Sequence, residues 1–482
     1  MKILKILFVL ILFGLKTWAK PNTAIISGNI PFLKDSDEVV LIMFKYGEPQ
    51  FTGDEKRVSC RVLNHKFYFE QAVGSIPIIF GLGFNEKINN PQHGSGYMKL
   101  NIMYGLIKDG DNITIAQNEN GVKFSGPGSE KNIIIQQFSE YYRRHVILSI
   151  GFRFKPEFVK QYFTSQDTIT RKSLQYLEEH KQLLDSNEYG LLKAMAISYY
   201  YDKGRYLWAM SDSLKRESVR ILKSNNTQEN PPVSFQDQFF SKEILKYSDQ
   251  LSNAILHKYI YDSCYVKNKA LDIAGCYNYI VNNFKGPLKE RLLTNLLFEH
   301  KDSSKGHLLL IEKALTILKD RDFIAILKKL RASRSEGAVA HNFILPDING
   351  IMRSLTDYKG KIVILDFWFT GCGSCALLSP HLTKIEKSFE GKPVVFLSIN
   401  LDNSKTQWEK SMGTGKYTSP YAINLTTASL GFRHSVVENY AIDACPTLIL
   451  IDQQGKVMNN AISPLDDHGK DLTVRITRAI GK

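Results

Sequence analysis

Apolar residues fall in short runs broken by turns along the first 126 residues, and after that they recur every three to four positions. Residues 39–45, 66–69, 76–83 and 113–116 are rich in β-branched and aromatic side chains, with a turn at Asp109-Gly110-Asp111-Asn112. That pattern predicts strands, and a β-sandwich-like domain over 20–126 is the economical reading. Ser125-Gly126-Pro127-Gly128-Ser129 punctuates the change of period. Beyond it, residues 133–144, 171–184, 191–210, 242–261, 287–300 and 306–331 place apolar side chains at i, i+3 and i+4. This predicts an α-helical middle region over 127–335, with a loop at 225–232 and no fixed-period repeat.

A third pattern begins at residue 336. Short strands are expected at 343–345 and 354–355, longer ones at 362–369, 394–400 and 448–452, and a helix at 375–389. The stretch 401–440 is a long connection holding a helix near 406–412 and a strand near 422–425. Strands alternating with helices predict an α/β domain over 336–482. A multi-domain chain follows, and a length of 482 residues agrees with about three domains.

The chemistry is concentrated where the strand at 362–369 meets the next helix. Gly371 and Gly373 supply a permissive turn, and Cys372-Gly373-Ser374-Cys375 opens the helix. A sulfur at a helix N-terminus faces unpaired N–H groups and the positive end of the dipole, so Cys372 is a candidate nucleophile. Two intervening residues bring Cys375 within about one turn, close enough for a disulfide. Half of a zinc site has the same spacing, but no second C-x-x-C and no H-E-x-x-H occurs, and the 11 histidines are scattered. Redox use, with neither metal nor cofactor, is the expectation.

These residues resemble the TlpA-like and ResA-like thiol-disulfide oxidoreductases of the thioredoxin superfamily. The resemblance covers 336–482 and rests on Asp366-Phe367-Trp368, Cys372, Cys375, Pro380 and Cys445-Pro446-Thr447. The chain departs from the family at Gly371, where an aromatic residue is common, and at His341, where proline is common. The resemblance implies an α/β thioredoxin-like fold, with the long connection as the family's insert. It also implies that Asp366 lies beneath Cys375 as a buried base, and that Pro446 is cis and faces the C-x-x-C turn. Trp368, Gly371, Gly373, Ser374, Cys445, Pro446 and Thr447 are then the substrate-binding set, with Trp368 expected to pack rather than touch substrate. The β domain resembles, more diffusely, the one that precedes TlpA-like domains in large exported proteins.

Charge and the remaining cysteines refine this picture. Of the net +14, all but +1 lies before residue 336. A solvated basic face is the ordinary explanation, and weak contact of these N-terminal two-thirds with an anionic membrane surface is the sharper one. No dense basic cluster interleaved with aromatics suggests nucleic acid. Lys2 and Lys5, the apolar run 6–15 and Thr17-Trp18-Ala19 have the order of a signal peptide, read as residues 1–19, which directs the chain to the periplasm or cell envelope. Cys60 reads as an inert small residue, Cys264 and Cys276 as a possible bridge, and Tyr199, Tyr200, Tyr201 and Tyr206 as core. Asp109 and Asp111 lack the downstream spacing of a calcium loop.

The expected activity is exchange with protein thiols and disulfides of the envelope. Cys372 attacks and Cys375 resolves, in the direction of reduction, with an upstream electron donor or acceptor completing the cycle. One alternative is a peroxiredoxin-like peroxidase, although Thr370 stands two residues before Cys372 where that branch has three. The other is an envelope binding or scaffold protein with an accessory redox domain.

Overall fold

The structure, a computed structural model, describes residues 22–35, 37–44, 55–84, 87–90, 94–97, 103–118, 121–146, 158–201, 216–221, 242–300, 305–458 and 464–481. The expected leader at 1–19, Tyr206 and the loop at 225–232 lie outside them. Two compact units divide the chain. The described residues of 1–47, 56–85 and 100–251 make the first, and those of 48–55, 86–99 and 252–482 the second. The stretch 127–335, read as one helical region, is thus shared between them.

In the first unit the strands are β1 (Thr23–Asn29), β2 (Glu38–Phe44), β3 (Glu55–Arg61), β4 (Lys66–Ala72) and β5 (Ile78–Phe84). A short ribbon, β6 (Lys87–Asn90) and β7 (Gly94–Tyr97), belongs to the second unit, and β8 (Met103–Ile107), β9 (Asn112–Asn118) and β10 (Gly121–Ser125) return to the first. They form two four-stranded sheets, ordered β10-β9-β1-β4 and β3-β2-β5-β8. Alternate residues of both sheets, among them Ile26, Leu41, Phe69, Phe80 and Ile113, share one apolar cluster. Four expected runs became β2, β4, β5 and β9. The sequence pattern missed β3, whose residues Glu-Lys-Arg-Val-Ser-Cys-Arg are mostly polar because it is an edge strand. Cys60 lies in that strand, half-buried.

Helices follow at Glu130–Val146, Val159–His180 and Ser186–Tyr201. Two expected long helices are each split. Residues 242–261 form Lys242–Tyr247 and Asp249–Ile260, restarted at Ser248, whose hydroxyl accepts from the Leu251 N–H at 3.4 Å. Residues 306–331 form Lys305–Ile317 and Arg321–Arg334. Here the Glu290 carboxylate accepts from the N–H groups of Lys319 and Asp320 at 2.7 and 2.8 Å, and Asp320 caps the second helix through Asp322 N–H. A cap supplied by another helix, Gly286–Glu299, leaves no trace in local periodicity. Cys264 and Cys276, the latter in Ile273–Asn283, are buried free thiols and are not bridged.

The C-terminal part opens with the hairpin β11 (Ile344–Pro346) and β12 (Met352–Ser354). Its sheet contains β13 (Ile362–Trp368), β14 (Val394–Asn400), β15 (Ile423–Thr426) and β16 (Thr447–Ile451), ordered β15-β14-β13-β16. β13, β14 and β15 run parallel, and β16 is antiparallel to β13. One face packs Val363, Leu365 and Phe367 with Val436, Val437 and Tyr440. The other packs Ile362 and Ile364 beneath the helix Gly373–Ser388 and the C-terminal helix Lys470–Ile480. The hydroxyl of Tyr440 donates to the His341 carbonyl at 2.7 Å, tying the start of the domain to the short helix Ser435–Asn439. No helix among the described residues is long and apolar enough to cross a membrane.

Candidate active site

β13 is buried on both faces, so strict alternation decides what each side chain meets. Asp366 and Trp368 fall on the helix-covered face with Ile362 and Ile364. The chain then turns through Gly371, which adopts φ +94°, a left-handed conformation suited to glycine. Cys372 is the N-cap of the helix Gly373–Ser388, and its Sγ accepts the N–H of Cys375 at 3.1 Å. The two sulfurs are joined as a disulfide, with Cα atoms 5.2 Å apart. Gly373 and Ser374 are exposed, but Cys372 and Cys375 are only 5% and 3% exposed. Preference for Cys372 as nucleophile therefore rests on its capping position, since the turn does not expose it more than its partner.

The Cys445–Pro446 peptide is cis. It places the Cys445 carbonyl oxygen 3.6 Å from Cys372 Sγ, at the entrance to β16. Thr447, half-buried, pairs in register with Phe367, and its hydroxyl donates to the Ala444 carbonyl at 2.8 Å. Trp368 is fully buried, which removes it from the substrate-contacting set: its Nε1 donates to Ser398 Oγ at 2.7 Å and its ring stacks on Tyr417 at 5.2 Å. The Tyr417 hydroxyl accepts from the Gly371 N–H at 3.1 Å, so this aromatic pair fixes the turn as well. Gly371, Gly373, Ser374, Cys445, Pro446 and Thr447 are gathered around the disulfide.

Asp366 is partly accessible as a residue, yet its Oδ1 is shut off from water and has no hydrogen-bond partner. Burial, reinforced by the charge of Glu386, pushes its carboxyl up to about 8. Cys445 is half-buried against Trp368, Cys372 and Cys375. Burial and then the nearby carboxylates of Asp366 and Asp443 raise its thiol above the usual cysteine range. No group of three or more metal-ligating side chains occurs among the described residues.

Sequence reading missed the part that β14 and the insert play in the site. Thr370 donates through N–H to Asp402 Oδ1 at 2.9 Å, and Asn400 Nδ2 donates to Asp402 Oδ2 at 3.0 Å. Asp402, Asn400, Ser398 and Tyr417 come from positions 28 or more residues away in sequence from Thr370 or Trp368, and no spacing rule links them. A disulfide capping a helix, a cis-proline loop against it and a buried carboxyl behind it make a centre for dithiol–disulfide exchange.

Residues 360–457 match the family model described as Thioredoxin-like. The ResA thiol-disulfide oxidoreductase of Bacillus subtilis is 33% identical over 128 residues, which is 27% of this chain and 68% of that protein. The ResA protein of Geobacillus thermodenitrificans is 32% identical over 121 residues, 25% of this chain and 66% of that one. A solved thioredoxin domain of a thiol-disulfide oxidoreductase from Bacteroides vulgatus is 29% identical, covering 30% of this chain and 98% of that domain, with a TM-score of 0.27. The chain belongs to the ResA/TlpA-like thiol-disulfide oxidoreductases of the thioredoxin superfamily.

Proposed function

We propose that the chain is an exported reductant of protein disulfides acting through Cys372 and Cys375, with Asp366 as the buried base. The observation that carries the site is the capping bond: the Cys375 N–H points at Cys372 Sγ at 3.1 Å and would stabilise a thiolate there. The Cys372 thiolate attacks a substrate disulfide and expels one substrate thiolate, leaving a mixed disulfide. Asp366 takes the proton of Cys375, whose thiolate attacks Cys372 Sγ and expels the second substrate thiolate. The enzyme leaves oxidised and the substrate reduced, so an upstream donor must return two electrons. Backbone groups at Cys445 and Thr447 offer an extended substrate segment a strand-like edge.

Export is supported by the charged, apolar and small-residue order of 1–19. The two N-terminal sheets read as a sandwich-like domain, and with the helices they carry the redox domain within the envelope.

Equilibration of the full chain with glutathione tests the direction. The expected potential lies near the roughly −270 mV of a reducing thioredoxin, and a value near −120 mV, that of a strong oxidant, would reverse the assignment.

A further inference from the structure

The turn between β13 and the active-site helix is held by groups that lie far from it in sequence. Thr370 donates its N–H to Asp402 Oδ1 at 2.9 Å and its hydroxyl to Asp402 Oδ2 at 2.5 Å. Ser411 Oγ lies 2.6 Å from the same Thr370 Oγ1, and Asn400 Nδ2 donates to Asp402 Oδ2 at 3.0 Å. Asp402, Asn400 and Ser411 are all buried. The Gly371 N–H goes to the Tyr417 hydroxyl at 3.1 Å, and the Cys372 N–H to the Phe369 carbonyl at 3.2 Å.

Asp402 is itself fixed at the end of β14. Its N–H donates to Asn400 Oδ1 at 2.9 Å, and the Leu401 N–H before it donates to the Trp368 carbonyl at 2.8 Å. Ser411 stands three residues after Trp408 on the insert helix Lys405–Gly413, and Trp408 packs with Cys372 and Cys375. Three donors converge on one carboxylate, so the position calls for a group that only accepts. Between this clamp and the nucleophile stands Gly371 alone. It adopts φ +94°, and nothing lies within 4 Å of where a Cβ would be, so no packing of its own fixes the turn. The aim of Cys372 Sγ at the Cys375 N–H, 3.1 Å away, therefore depends on how Thr370 is held.

We propose that Asp402 is a positioning residue for the exchange reaction: by holding Thr370 it aims Cys372 Sγ at the helix N-terminus and keeps the thiolate capped. It does so through the turn and not by touching substrate. The proposal rests on Cys372 acting as the nucleophile, and the experiment separates the two ideas.

The readout is the pH dependence of Cys372 alkylation by iodoacetamide in the reduced full chain, resolved by peptide mapping. Asp402→Asn keeps the shape but turns an amide N–H toward Asn400 Nδ2 and the Thr370 hydroxyl, which are donors. The midpoint for Cys372 should rise by about one pH unit, the order of one hydrogen bond to a charged group. The sign is diagnostic, because removing a negative charge without moving the turn would lower the midpoint. An unmoved or lowered midpoint overturns the proposal. Thr370→Val keeps the carboxylate and the backbone N–H but lacks the hydroxyl, so its midpoint should rise by less. Thr370→Ser, which has the hydroxyl, should restore the wild-type midpoint. The valine variant decides the question where Asp402→Asn does not fold. An unmoved midpoint there, or a serine variant displaced as far as valine, counts against the proposal. If the wild-type chain is labelled at Cys375 in preference to Cys372, the nucleophile assignment itself fails. If it is labelled at Cys372 and no variant shifts the midpoint, only the role of Asp402 fails.

Discussion

Two aspartates are buried in this chain on opposite terms. Asp111, 2% exposed, receives Lys131 Nζ at 2.9 Å and the Lys108 N–H at 2.8 Å. Lys131 also bonds the Gly128 carbonyl at 2.7 Å and Glu188 at 3.0 Å, and Lys108 meets Glu188 and Asp185. Gly128 is required there, since a Cβ would stand 2.0 Å from Asp111 Oδ1. Burial pushes Asp111 up only to about 6, with Lys131 pulling it back, so it stays charged at neutral pH. Asp366 has no such cation and rises to about 8. The difference teaches where charge serves structure and where it serves chemistry: a paired carboxylate locks a fold, whereas an unpaired one stays ready to exchange a proton.

The comparison breaks most readily at Lys131. Lys131→Met leaves Asp111 and Glu188 buried without their central cation, and a loss of about 3–5 kcal/mol is expected in the urea unfolding of the first unit. The potential of the Cys372–Cys375 pair should not move. A loss below about 1 kcal/mol would mean that the network is no more than a solvated surface cluster.

Asp366→Asn should do the reverse. Resolution of the mixed disulfide slows by about 100-fold, the lower range for loss of a general base, and trapped substrate accumulates. The wild-type resolution rate rises with pH through about 8 as the base ionises, and the variant loses that limb. Stability moves oppositely. The folded state holds this proton more tightly than the unfolded chain, whose ordinary value is 3.8. The carboxyl therefore supports the fold fully below about pH 4, and that support is lost as pH rises through about 8. Asparagine should flatten this part of the stability profile, and a variant that keeps the full pH slope would place the titration elsewhere.

A smaller effect separates the two active-site thiols. In the reduced enzyme brief iodoacetamide treatment should modify Cys372 at least about ten times faster than Cys375, because the cap favours its thiolate. Preferential labelling of Cys375, found by peptide mapping, would sink the assignment of the nucleophile.

The residues that form the disulfide and its facing proline were legible because they are local: a strand, a glycine turn, two cysteines three apart and a Cys-Pro-Thr each occupy one short stretch. Strands β13 and β14 were legible for the same reason, being largely apolar runs buried on both faces. What could not be read depends on distant pairing. The break at residues 318–320 is fixed by Glu290, the turn at Gly371 by Tyr417, and the indole of Trp368 by Ser398. The partner of Asp111 was equally invisible, since Lys131 lies 20 residues away in the following helix. Asp366 was legible as a site residue through its resemblance, but that its Oδ1 is buried without a hydrogen-bond partner appears only in the folded chain.

The smallest expected effect concerns a third buried group that is neither paired nor charged. Cys445 packs against Trp368, Cys372 and Cys375, which brings a third thiol beside the reactive pair. Reactivity requires the thiolate, and burial with two carboxylates nearby raises this thiol above the usual range. At neutral pH Cys445 therefore behaves as a small apolar residue lining the substrate groove. Cys445→Ala should cost about 1 kcal/mol or less from lost packing and leave the redox potential unchanged. Mass spectrometry of the mildly oxidised, non-reduced protein should find the Cys372–Cys375 linkage alone. A Cys372–Cys445 linkage would show that unpaired carboxylates do not silence a neighbouring thiol, and the contrast drawn between Asp111 and Asp366 would lose its chemical half.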